Sequence, residues 1–116
     1  MTREELLKHI HTKFKITPDF PWKTYPNFAV FRHKSNEKWF ALLIDINASK
    51  LGLDSEEIIE VLNIKCEPEL TKLLPNGKNI FTAYHMNKNN WLSIRLDSTK
   101  GAMIHDFLDD SFELTK

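Results

Sequence analysis

The stretch Trp39-Phe40-Ala41-Leu42-Leu43-Ile44-Asp45-Ile46 limits what this chain can fold into more than any other part of it. Its aromatic and β-branched residues suit a strand. The two-residue period of a strand then places Phe40, Leu42, Ile44 and Ile46 on one face and Trp39, Ala41 and Leu43 on the other. Both faces are apolar near the start of this strand, so each side of its sheet needs a cover or else exposes an apolar surface. One face is expected to pack on helices, with Leu42 and Ile44 joining Leu92 and Ile94 against them. The opposite face then offers Trp39 to a partner, unless a loop covers it.

Helices that could supply such a cover lie at both ends of the chain. Thr2 followed three residues later by Glu5 is a capping-box pattern, and Leu6, Ile10 and Phe14 recur at helical spacing, which predicts a helix over 3–15. At the other end Ser98 or Thr99 can cap a helix carrying Ile104, Phe107, Leu108, Phe112 and Leu114, with Asp106, Asp109, Asp110 and Glu113 on its opposite side. Pro18, Pro21 and Pro26 make 16–27 a connecting loop, because proline lacks a backbone donor and has a fixed φ. A strand over 28–32 pairs as a hairpin with 38–46 across His33-Lys34-Ser35-Asn36. Residues 57–65 suit either a strand or a short helix begun at Asp54 or Ser55, and the strand is the expectation. Pro68 opens a brief helix with Leu70, Leu73 and Leu74, which Pro75 and Asn76-Gly77 close. Two more strands follow at 80–84 and 91–96, the second directing Leu92, Ile94 and Leu96 inward and Trp91, Ser93 and Arg95 outward. Helix first, strands in the middle and helix last is the α+β class, a twisted antiparallel sheet with the N- and C-terminal helices packed on one face.

Composition narrows the function classes. The 116 residues, 41% of them apolar, make one domain spanning 1–116 with its own core. The longest apolar runs, such as 40–44, fall far short of the ~20 residues of a membrane-spanning helix. The opening Arg3-Glu4-Glu5 places charge where a secretory signal needs an apolar stretch. A lone Cys66 can form neither an internal disulfide nor a thiolate zinc cluster, and it reads as a sheltered thiol in a reducing compartment. A cytoplasmic monomer with no membrane contact is therefore expected. Gly52, Gly77 and Gly101 are isolated, so no phosphate-cradling loop exists, and the five histidines show no zinc spacing. Cys66 with His85 as its base is the only nucleophilic pair to consider, and nothing else in the sequence supports it. No catalytic residue, metal site or cofactor is expected.

Net charge is zero, from 16 basic and 16 acidic residues, which argues against tight DNA binding. The charge is uneven along the chain. Lys23, Arg32, Lys34 and Lys38 against Glu37 give residues 23–38 a net +3. Lys65, Lys72, Lys78, Lys88 and Arg95 against Glu67 and Glu69 give 65–96 the same, and 39–64 is acidic.

The segments Glu37-Lys38-Trp39-Phe40-Ala41, Leu62-Asn63-Ile64-Lys65-Cys66-Glu67-Pro68-Glu69 and Tyr84-His85-Met86-Asn87-Lys88-Asn89-Asn90-Trp91 resemble, in order and spacing, the MmcQ/YjbR family. The ending Asp110-Ser111-Phe112-Glu113-Leu114 is similar to that family's terminal Ser-Tyr-x-Leu, so the resemblance runs over nearly the whole chain. Phe112 stands where tyrosine is usual, Asn90 where histidine is usual, and Glu67 where aspartate is common. The resemblance implies a fold like that of bacterial frataxin homologues (CyaY-like), and a function described as DNA binding through a double-wing arrangement of strands and loops. By fold analogy it also raises iron binding at Asp106, Asp109, Asp110 and Glu113, although a solvated helix face accounts for those residues more simply.

The residues suited to nucleic acid are Lys38, Trp39, His85, Asn87, Lys88 and Trp91: cations for phosphates, tryptophans that stack on bases, and short polar groups for hydrogen bonds. The alternative is that His85 and Asn87 tie their loop to its own backbone and that both tryptophans are core. The expectation is a weak, salt-sensitive, non-specific DNA-binding accessory protein. Its rival is a non-enzymatic module that binds a protein or a small ligand with the same aromatic surface.

Overall fold

The computed structural model describes residues 1–116. Helix α1 (Arg3–Phe14) begins at the capping box, with the Glu5 N–H donating to Thr2 Oγ1 at 3.2 Å and the Thr2 N–H donating to Glu5 Oε1 at 2.9 Å. These bonds hold the Glu5 carboxyl below its ordinary range. Strands β1 (Ala29–Arg32) and β2 (Trp39–Asn47) form the hairpin, followed by β3 (Ile58–Lys65), the short helix α2 (Pro68–Leu73) with proline at its first position, β4 (Ile80–Thr82), β5 (Trp91–Arg95) and α3 (Gly101–Leu114). The strands make one open antiparallel sheet in the order β1-β2-β3-β5-β4. This is the α+β architecture that the element order implies. No helix is long and apolar enough to cross a membrane.

Cross-strand rows decide which face each residue serves. The row Ala29-Leu43-Leu62-Ile94-Ile80 and the row Phe31-Ala41-Ile64-Leu92 face both long helices. There they form, with Leu6, Ile10, Ile104 and Leu108, a buried cluster of 17 residues. The opposite face carries a smaller cluster of eight, including Val30, Leu42, Ile44, Ile46, Ile59 and Val61. Leu42 and Ile44 thus lie on the face away from the helices, which corrects the expected phase of β2, whereas Leu92 and Ile94 face the helices as expected. A strand that is apolar on both sides shows period two without showing which stripe is inner.

A bulge adds to the difference. Phe31 pairs with Ala41 and Arg32 with Trp39, so Phe40 is the extra residue of β2. Phe40 and Ala41 both enter the helix-side cluster, while Trp39 turns to the outer face. Ser111 on α3 is fully buried beside this irregularity. Its hydroxyl donates to the Phe40 carbonyl and accepts from the Lys65 N–H at 2.9 Å, tying α3 to β2 and β3 at once. The serine of the C-terminal motif therefore has a structural role.

The start of α3 also departs from expectation. Ser98 belongs to a 3-10 turn (Leu96–Ser98), the Thr99 hydroxyl donates to the Arg95 carbonyl at 2.6 Å, and Lys100 is the N-cap without a side-chain bond. Thr99 is buried, and its hydroxyl closes the preceding turn instead of capping the helix. The proline-bearing loop before β1 runs along the sheet, and at Asp19 it exchanges two 2.9 Å backbone hydrogen bonds with Val30.

Candidate ligand-binding site

On the outer face β2 contributes Leu42 and Ile44 to the wall of a cavity of about 300 Å³. Trp22, Tyr25 and Phe28 enter it from the loop before β1, Trp39 from the first position of β2, and His85 and Met86 from the loop between β4 and β5. The aromatic walls brace one another. Trp22 meets Trp39 edge-on with centroids 5.9 Å apart and Phe28 edge-on at 6.0 Å, while Tyr25 stacks on Phe28 at 4.7 Å. The Arg32 guanidinium lies 5.3 Å from the centre of the Trp39 ring and is itself paired to Asp19 at 2.8 Å, so the tryptophan is held by a fixed cation.

A second cavity of about 360 Å³ shares Tyr25, Phe28 and His85 with the first and adds Asp45, Ile46, Asn47, Lys50 and Tyr84. Asp45 accepts a hydrogen bond from Asn27 Nδ2 at 3.0 Å, and Asn47 Oδ1 accepts from the Ser49 N–H at 3.0 Å. Through the shared Tyr25, Phe28 and His85 the two hollows adjoin as one groove, apolar at one end and mixed aromatic and polar at the other. Their volumes are at the lower end of the ~300–1,000 Å³ of small-molecule sites.

The six residues singled out for nucleic acid are divided by the fold. Trp39 and His85 share the aromatic cavity, with Lys38 exposed beside Trp39. Asn87 and Lys88 serve their own loop. Asn87 Oδ1 accepts from the Asn89 N–H at 2.8 Å, the Asn87 carbonyl accepts from the N–H groups of Asn90 and Trp91, and the Lys88 ammonium donates to the Ala83 carbonyl at 2.6 Å. Trp91, expected to be exposed, is buried with 8% of its surface accessible. His85 itself has a left-handed backbone, φ 64°, which turns the chain into this loop. Beneath it, fully buried Asn63 donates to the Tyr84 carbonyl at 3.0 Å and accepts from the Ser93 hydroxyl, which in turn accepts from the Tyr84 N–H at 2.8 Å.

Two loops do lie at the same end of the sheet. β2 and β5 are both antiparallel to β3 and so run in the same direction, which puts Lys38 and Lys88, each just before its strand, at one end. Trp22, Tyr25, Phe28 and Met86 are the wall residues that sequence reasoning passed over. Their signal was the aromatic density of the loop, with Phe20, Trp22, Tyr25 and Phe28 within nine residues.

The other candidates lead elsewhere. Cys66 has 7% of its surface accessible and its thiol is pushed up by burial, the state of a protonated, unreactive thiol. Asp109 pairs with Lys13 at 2.6 Å and Glu113 with Lys116 at 3.0 Å, and no group of three His, Cys, Asp or Glu side chains is arranged to hold a metal ion.

Known proteins agree with this fold. The chain is 45% identical to the uncharacterized protein YyaQ of Bacillus subtilis over 100% of its own length and 99% of that protein's. A crystal structure of a Pseudomonas syringae protein, 39% identical, superposes with a TM-score of 0.96 over 100% of both chains. The Deinococcus radiodurans protein DR2400, with its DUF419 domain, matches at a TM-score of 0.63 and 23% identity over 85% of this chain and 67% of that one, a likeness of fold alone. The YjbR family model matches residues 12–114, from the end of α1 to the end of α3, and the chain belongs to the YjbR family.

Proposed function

We propose that this chain is a non-enzymatic, cytoplasmic binding protein that holds its ligand in the aromatic cavity on the outer face of the sheet. The observation that carries this reading is that three separate segments converge on one hollow, lined by seven hydrophobic or aromatic side chains and the imidazole of His85. Recognition sites for small molecules and for inserted side chains share this composition, an apolar lining with few polar groups. The test is a titration of the 15N-labelled protein with neutral indole, read by NMR. The indole N–H signals of Trp22 and Trp39 shift saturably and that of Trp91 does not. Shifts that fail to saturate, or that spread equally over all three tryptophans, count against the cavity.

Weak DNA binding is the second reading, favoured by the common end of the sheet at which Lys38 and Lys88 lie. Because the Lys88 ammonium already bonds to Ala83, its contribution to phosphate binding is reduced. What remains suits an unpaired base stacking on Trp39 better than a duplex, so single strands bind more tightly than duplex and Lys38→Ala lowers the salt slope by about one unit. Fluorescence anisotropy across a salt series measures both. Duplex binding as tight as single-strand binding, with a slope that Lys38 does not affect, sinks it.

A further inference from the structure

We infer that the groove is a two-compartment site for a planar aromatic ring joined to an anionic oxygen group, the chemistry of a nucleotide. This deepens the binding role proposed above and rests on it. The aromatic compartment fits the ring: Trp22, Trp39 and Tyr25 offer flat surfaces, and β2 closes one side with aliphatic groups. The adjoining compartment supplies donors. Lys50 lines it and has no ion-pair partner, and no protein hydrogen bond uses the Tyr25 hydroxyl, the Tyr84 hydroxyl or the His85 ring. Asp45 is the one carboxylate there, and it already accepts from Asn27.

Lys50, a cation with no ion-pair partner beside a carboxylate that already accepts from Asn27, favours an anion over a neutral ligand. A ring held in the aromatic end projects its substituent past Tyr25 and His85, the shared wall, toward Lys50. The ring-to-anion spacing selects the ligand, since neither compartment alone supplies both contacts.

The experiment titrates the 15N-labelled protein with AMP, adenosine, a ten-residue deoxyadenylate strand and neutral indole. AMP is expected to saturate the Trp22 and Trp39 signals and to shift the Lys50 amide, and adenosine to bind about tenfold more weakly for want of the charged contact. Lys50→Ala, an exposed change that keeps the fold, is expected to bring AMP down to the affinity of adenosine while leaving indole binding unchanged. If the strand binds through the same signals and AMP does not, the source of the nucleotide is single-stranded nucleic acid. If AMP binds and the strand does not, the source is the free nucleotide. Equal binding of AMP and adenosine, or AMP binding indifferent to Lys50→Ala, overturns the two-compartment site. Binding of indole alone overturns the ligand class and leaves the aromatic cavity standing. Failure of indole as well removes the cavity reading with it.

Discussion

Both faces of this sheet carry apolar rows, the outer one interrupted by Asn63, Ser93 and Arg95, and they are finished in different ways. The inner face meets two long amphipathic helices, whose regular stripes interdigitate with the strands and bury Phe40, Leu43, Leu62 and Ile104 completely. The outer face meets irregular chain: a loop that three prolines keep out of regular structure, and a turn held by its own polar side chains. Irregular chain brings large aromatic groups over the surface without filling it, and leaves Trp22 and Trp39 only half-buried around a hollow. The lesson is that the cover determines what a face can do. Helices seal a face for stability, and aromatic loops leave one open for binding.

The largest expected effect separates the faces directly. Phe40→Ala, in the sealed core, is expected to cost about 3–5 kcal/mol, and Ile44→Ala, whose side chain borders existing space, about 2 kcal/mol. Urea unfolding of both variants measures the gap. Equal costs would mean that the outer face is packed as tightly as the inner one.

Next in size is the polar link that holds the outer turn to the sheet. Asn63→Ala leaves the Ser93 hydroxyl without an acceptor for its proton and the Tyr84 carbonyl without its donor, at an expected cost of about 1–3 kcal/mol. Amide exchange should quicken across 84–91 while α1 and α3 keep their protection. Uniform quickening across the whole chain would show that the two covers open together.

A third test uses acid on the inner face. At the seam of α1 and α3 the His9 and His105 rings stack 3.7 Å apart, and His9 Nε2 is buried without a hydrogen-bond partner. Burial pushes the His9 ring below its ordinary value of 6.5, with His105 and Lys13 adding to the shift and Asp109 opposing it. Burial likewise lowers His33, whose Nε2 lies 2.7 Å from Thr115 Oγ1. The unfolded chain therefore binds more protons than the folded one between the lowered values and about 6.5. Stability is full above that window and falls as pH drops through it. Urea melts at pH 7.5 and 5.5 should show the loss, and His9→Gln should reduce it. A parent equally stable at both values would contradict the burial of these rings.

The smallest effect is expected where the outer cover is thinnest. Trp22→Ala should change stability by only about 1 kcal/mol, because its ring already meets solvent, while weakening indole binding to the cavity. A cost matching that of Phe40→Ala would make the loop part of the core instead of a wall.

These contrasts also explain which parts of the molecule could be read from sequence. The capping box at Thr2 and Glu5, Pro68 at the start of α2 and the stripe of α3 are local signals, and each produced its element. The phase of β2 was not local. It depends on a bulge at Phe40 and on pairing with Leu62 and Ile64, residues about twenty positions away, so Leu42 and Ile44 were placed on the wrong face. Thr99 has the residue type of a cap because hydroxyls favour helix starts, but its hydroxyl donates to the Arg95 carbonyl in the turn before the helix. Of the site, Trp39 and His85 were legible as an aromatic and a polar residue beside strands. The cavity they share was not, since Trp22 and Tyr25 reach it only through the path of a loop that has no periodicity to read.

The two hydrogen bonds between Asp19 and Val30 have a consequence for the chain at high concentration. An outermost strand normally presents free donors and acceptors on which another molecule can lay a strand of its own. Here the outward groups of Val30 are already occupied, Arg32 is bound to the Asp19 carboxylate, and Pro18 and Pro21 flank the blocking residue with no donors to continue a ladder. At the far side of the sheet β4 is only three residues long. Neither margin is a good template for fibril-like growth, so a chain with zero net charge, lacking the mutual repulsion that keeps many proteins apart, is guarded against aggregation by how its sheet ends.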